Sequence, residues 1–198
     1  MRRRSSGLAR PLKRSVILPR PFVLMDDKRS LLRHFLAALA YRTQKALRDA
    51  PAEFGNFRGA DGVRTPAELV RHMTSVLGYA RTFFIGGRYR PEPLPSLNEE
   101  IIRFHEMLKE LARHIEAGTP LLQGMSAERL LQGPFSDAMT HAGQLAMLRR
   151  LAGVPVPPEN FIVAEIEPER LGIEQAEPVS PDEEWTDAPA GWLPPSQR

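Results

Sequence analysis

Helix start and stop signals divide the middle of this chain into regular units, and they constrain the fold more than any other feature. The segment TPAE at residues 65–68 predicts a helix start, because threonine caps the first turn, proline suits the first helical position and glutamate closes a capping box. SLNE at residues 96–99 predicts a second capping box. The apolar residues that follow each segment recur every three to four positions, until Gly86-Gly87 and Gly118 end the two runs. The sequence therefore predicts two amphipathic helices here.

Two further helices are predicted on either side of this pair. One starts after Asp26-Asp27 and continues through KRSLLRHFLAALAYRTQKALRDA until Pro51. The other begins near Pro134 and ends at Gly153, because the prolines of VPVPP at residues 154–158 cannot continue a helix. No alternating strand pattern accompanies them. The fold class we expect is all-α: a four-helix bundle with an extended proline-rich C-terminal strap.

Charge and composition divide the chain into three segments. Residues 1–25 carry seven basic side chains and no acidic one, and we expect them to form a disordered basic arm. Residues 26–158 hold the predicted bundle domain. Residues 159–198 carry ten acidic side chains against two basic ones and are rich in proline, so we expect an acidic strap and tail over the bundle. Within it, FIVAEI at residues 161–166 is the apolar piece expected to anchor the strap.

Several classes of protein are excluded or disfavoured by composition. The chain has no cysteine, which excludes disulfides, thiolate metal ligands and a thiol nucleophile of its own. No uncharged apolar run approaches the roughly 20 residues that cross a bilayer, so we expect a cytoplasmic protein with no membrane partner. The basic arm lacks an accompanying aromatic or groove-reading motif, and we therefore do not expect nucleic acid as a partner.

The candidate site lies on the last predicted helix. In FSDAMTHAGQLAMLRRLAG, residues 135–153, Asp137 and His141 share one side of the helix with Leu145 and Leu148, which mark that side as buried. His72, on the second helix, shares a stripe with apolar residues and is also predicted to face the core. A buried carboxylate requires a partner or a cation. Two imidazoles and one carboxylate form the facial triad that binds a divalent metal and leaves positions open for water or substrate.

Each of these residues also has a simpler interpretation. Asp137 lies in a first helical turn, where the helix dipole favours acids without any ligand. His141 could be a core histidine bonded to a backbone carbonyl, and His72 could lie at the rim of its stripe. His105, beside Ile101 on the third helix, is an alternative ligand or a packed boundary histidine.

Three segments of the chain resemble the DinB-like family, which comprises damage-inducible four-helix bundles and includes small-thiol-dependent S-transferases. They are TPAELVRHM, THAGQLAMLRRLAGVPVPPENF and RLGIEQAEP, within residues 28–178. The resemblance implies a divalent cation (Zn, Ni or Fe) held by one histidine of the second helix and an H-x-x-x-H pair of the last. In this chain those positions are His72, Asp137 and His141, so an aspartate replaces the first histidine of the pair.

Two functions from different classes follow. The first is a metal-dependent transferase or hydrolase that acts on a small-molecule substrate, with a small thiol as the cosubstrate. The second is a non-catalytic stress-response or ligand-binding bundle, a homodimer, in which the triad is a structural metal site or a hydrogen-bonded network. A catalytic site keeps an open coordination position, whereas a structural site is closed.

Overall fold

A computed structural model describes residues 27–122, 124–179, 185, 188, 190–191 and 193. The predicted basic arm, residues 1–25, lies outside the described residues. Four long helices and one short helix occur in order: α1 (Asp27–Leu47), α2 (Pro66–Ile85), α3 (Leu97–Glu116), α4 (Ala127–Leu130) and α5 (Ser136–Leu151). Short 3₁₀ turns occupy Ala52–Asn56 and Phe161–Val163, and the described residues contain no β-strand. The expected all-α class is confirmed.

The predicted caps explain where two of the long helices start. Thr65 Oγ1 accepts from the backbone N–H of Glu68 at 3.2 Å, and Glu68 Oε2 accepts from the backbone N–H of Thr65 at 2.8 Å, so both halves of that capping box are present. At the start of α3, Ser96 Oγ accepts from the N–H of Glu99 at 3.2 Å. The capping box predicted for SLNE is only half formed, because the acidic side chain that turns back belongs to Glu100 instead of Glu99, and its Oε1 accepts from the N–H of Leu94 at 2.9 Å.

Each long helix packs against two others. Helix α1 packs against α3 and α5, and α2 packs against the same two helices. All four helices contribute fully buried apolar side chains to the shared core, among them Leu36, Leu77, Phe104 and Leu145. Each such side chain contributes about 1.5–3 kcal/mol when it leaves water. None of the described helices combines the length and the apolar character that a membrane crossing requires.

A kink precedes α5 and sets where that helix begins. Residues Leu131–Phe135 form a π-helical turn in which Gly133 has non-helical backbone angles (φ −97°, ψ −105°) and Pro134 follows. Because proline lacks a backbone donor, the regular hydrogen-bond pattern resumes only beyond it. Helix α5 therefore starts at Ser136, two residues after the predicted position, and Asp137 lies in its first turn.

The described part of the C-terminal segment contacts α1 and α3. Leu171 is buried, its carbonyl accepts from His105 Nδ1 at 2.8 Å, and the carbonyl of Pro168 accepts from Arg33 at 3.2 Å. The expected apolar anchor is only partly correct, since Ile162 is 88% exposed and Val163 also faces solvent. These polar contacts and Leu171 do the anchoring instead, because the Phe161–Val163 turn directs two of its three apolar side chains outward.

Gly78, in the middle of α2, lies against the ring of Tyr89. A Cβ added to Gly78 would lie 2.0 Å from Tyr89 Cδ1, far closer than van der Waals contact. We therefore expect Gly78→Ala to displace the ring and to lower the free energy of unfolding by about 1–3 kcal/mol, measured by chemical denaturation.

Gly143, in the middle of α5, provides the matched control. A Cβ there meets nothing within 4 Å, so Gly143→Ala should raise the free energy of unfolding by up to about 1 kcal/mol through helix propensity alone. Equal effects of the two substitutions would contradict the proposed packing of Tyr89.

Candidate metal centre

The packing of α2 against α5 brings the three predicted ligands together. His72 lies in the second turn of α2, Asp137 in the first turn of α5 and His141 one turn further along α5. One potential ligand atom from each residue lies within 4.8 Å of the other two. The imidazole rings of His72 and His141 have centroids 4.8 Å apart, with an interplanar angle of 71°. A single ion could therefore contact all three side chains after small rotamer adjustments.

The Nε2 atom of His141 directs a free lone pair toward this cluster. Its Nδ1–H donates to Gln144 Oε1 at 2.8 Å, and because that oxygen can only accept, the neutral ring carries its proton on Nδ1. Nε2 is buried and lies 3.3 Å from Asp137 Oδ1. With the proton on Nδ1, Nε2 presents a lone pair and has no hydrogen-bond partner among the described residues. Such an unsatisfied buried nitrogen fits a metal ligand.

His72 is held toward its neutral form, which is the form that binds a metal. Partial burial is the main cause that lowers the pKa of its imidazole. The positive charge of Arg64 and the neighbouring His141 lower this pKa further, and the Asp137 carboxylate acts in the opposite direction. The site therefore receives one imidazole from each of two packed helices.

Asp137 differs from its predicted position. Its side chain is 51% exposed, whereas His141 is 8% exposed as a residue, so the prediction that both project into the core is wrong for Asp137. Its neighbours Phe135 and Ala138 are fully buried, so Asp137 lies at the rim of the helix packing. Asp137 also lines an open cleft of about 700 Å³, together with Ser75, Tyr79 and Thr140. The candidate site is thus accessible to solvent from one side.

The other histidines lie apart from this cluster. His105, the alternative ligand, is 1% exposed and donates to the carbonyl of Leu171, so it is a packed core histidine. His34 is exposed on α1. Sequence reasoning missed Gln144, although its spacing of three residues from His141 on a helix was a sufficient signal.

Comparison of the chain with family models, with curated proteins and with solved structures gives no match. The function must therefore be argued from the residues of the site themselves.

Proposed function

We propose that this chain is a divalent-metal-binding protein of the DinB-like kind, in which His72, Asp137 and His141 are the ligands. The proposal depends most on one observation: three ligand atoms from α2 and α5 lie within 4.8 Å of one another. The motif resemblance supports it independently. The pattern in which each long helix packs against two others supports a four-helix bundle. The hydrogen bonds of Glu159 to Tyr41 on α1 and of Glu177 to Arg48, just after α1, support a C-terminal strap.

The donor set fits a divalent transition metal. Two imidazoles and a carboxylate suit zinc, nickel and ferrous iron, and cysteine ligands are ruled out because the chain has none. Gln144 holds the ring of His141 in the orientation and tautomer that a ligand requires. A structural zinc site is usually closed by four protein ligands, whereas three ligands with a solvent-exposed member are typical of a catalytic site.

The reaction that fits this arrangement is transfer to or from a small thiol, or hydrolysis. When bound, a divalent cation would supply Lewis acidity, which lowers the pKa of a thiol or of water. The chain itself contributes the open cleft beside Asp137, where the hydroxyl groups of Ser75, Tyr79 and Thr140 can orient a polar reactant. Because the chain has no thiol, a thiol nucleophile has to be a cosubstrate.

Metal content and thiol conjugation test this proposal together. The purified chain is incubated with zinc, nickel or ferrous iron, and metal per chain is measured after desalting. Conjugation of cysteine or glutathione with chlorodinitrobenzene is then followed by absorbance. One metal per chain with metal-dependent conjugation would support the transferase.

The alternative is a non-catalytic, homodimeric bundle in which the triad is a polar network. The Asp137–His141 pair at 3.3 Å supports this alternative, because it neutralises the carboxylate without any ion when His141 is protonated. Absence of metal binding, together with a dimer by light scattering, would favour it.

Gln144 gives a prediction that leaves all three ligands in place. Gln144→Ala removes the acceptor for His141 Nδ1–H, so the ring can rotate and change tautomer. We expect the affinity for zinc to fall by about 10–100-fold, measured by competition with a chelating dye. Gly143→Ala, at an exposed neighbour on α5 where an added Cβ meets nothing within 4 Å, is the control and should keep the wild-type affinity. An unchanged affinity in Gln144→Ala would show that this hydrogen bond does not orient the ligand.

A further inference from the structure

A second cleft lies beside the candidate metal centre, between residues 62–64 and α5. Its volume is about 560 Å³, within the range of small-molecule sites, and its lining includes Val63, Arg64, Leu69, Gln144, Met147 and Leu151. Gln144 also accepts the hydrogen bond from His141. The cleft therefore adjoins the metal centre through a side chain that contacts both.

The apolar part of this lining is unusually exposed. Val63 is 39% exposed, Met147 54% and Leu151 61%, while Leu69 forms a buried part of the wall. Single exposed apolar side chains are ordinary, but several that line one concavity are typical of a binding site. This surface can cover the hydrocarbon part of a ligand.

Among the described residues that line the cleft, Arg64 carries the only charge. Arg64 is exposed, and it forms no ion pair with any carboxylate in the described part of the chain. No acidic residue lines the cleft. A guanidinium binds a carboxylate through two parallel hydrogen bonds, which makes an unpaired arginine at the edge of an apolar cleft suited to an organic acid.

We propose that this cleft binds an organic acid with a hydrocarbon body, its carboxylate on Arg64 and its body against Met147 and Leu151. The acid is the substrate of the adjacent metal centre, and this second statement rests on the proposed function. The cleft beside Asp137, lined by hydroxyl groups, is left for the cosubstrate.

The experiment is a titration of the full chain with octanoate and with its neutral isostere octanamide, followed by ligand-observed NMR. We expect octanoate to bind at least about tenfold more tightly than octanamide. Arg64→Met should lower the affinity for octanoate by about tenfold or more and leave that for octanamide unchanged. Leu151→Ser, at an exposed position, should weaken both ligands. Arg113→Met, which removes an exposed arginine from α3, should weaken neither.

Equal affinities of the two ligands, octanoate binding that Arg64→Met leaves intact, or no saturable binding at millimolar concentration would overturn the proposal. A parallel titration of the His141→Ala variant separates the two proposals. If the wild-type chain binds no metal and octanoate still binds through Arg64, the metal centre fails and the acid site stands. If metal binds and octanoate does not, the metal centre stands and the acid site fails. Octanoate binding that is lost in His141→Ala would place the acid on the metal instead of Arg64.

Discussion

Replacing His141 by alanine is expected to abolish stoichiometric metal binding. The variant loses the one ligand whose free lone pair is buried and already oriented toward the other two. His72 and Asp137 would remain, on different helices, with a half-exposed carboxylate as one of the two donors. Loss of a residue that only orients a ligand lowers metal affinity by about 10–100-fold. Because this variant lacks a ligand itself, we expect its affinity for zinc to fall further than that.

The measurement is metal per chain by elemental analysis after desalting, with wild type and variant loaded under the same conditions. His34→Ala is the matched control, since it removes an imidazole from an exposed position on α1. His72→Ala should behave like His141→Ala. If His141→Ala retains one metal per chain, the triad is not the metal site, and Asp137 is simply an acid in a first helical turn.

Acidification from pH 6.5 to pH 4 is expected to destabilise the protein by about 3 kcal/mol through His105 alone. Burial is the main cause that lowers the pKa of His105 to about 4, and the hydrogen bond to the carbonyl of Leu171 only partly opposes it. In the unfolded chain the pKa is about 6.5. Between these values the unfolded state binds more protons than the folded state, so the free energy of unfolding falls as the pH falls.

A comparison of variants isolates this contribution from the carboxylates, which titrate at the acidic end of the same range. The free energy of unfolding of wild type and His105→Gln is measured by urea denaturation between pH 7 and pH 4. The variant should be less stable at pH 7, because the packed ring is lost, but its stability should fall less steeply as the pH falls. His34→Gln, at an exposed position, should follow the wild-type profile. Parallel profiles for wild type and His105→Gln would show that His105 does not carry the pH dependence.

Local sequence determined the helices, because their signals act within one turn. The capping box of Thr65 and Glu68 starts α2 where it was expected, and Pro134 and Gly153 bound α5 to within two residues. Helical spacing also placed His141 on the same buried side as Leu145 and Leu148. These features depend only on side chains a few positions apart, which is why a single sequence was sufficient to predict them.

Only the tertiary structure decided the character of the site. Asp137 is half-exposed at the rim of the helix packing, although its spacing from His141 predicted a buried position. The 4.8 Å separation of the His72 and His141 rings depends on how α2 and α5 pack, and the burial of His105 depends on Leu171, 66 residues later in the chain. The spacing of apolar residues predicts which side of a helix a residue occupies. It does not predict how much of that side the neighbouring helix covers. That coverage is a property of packing between distant segments, and it decides whether a carboxylate faces the core or an open cleft.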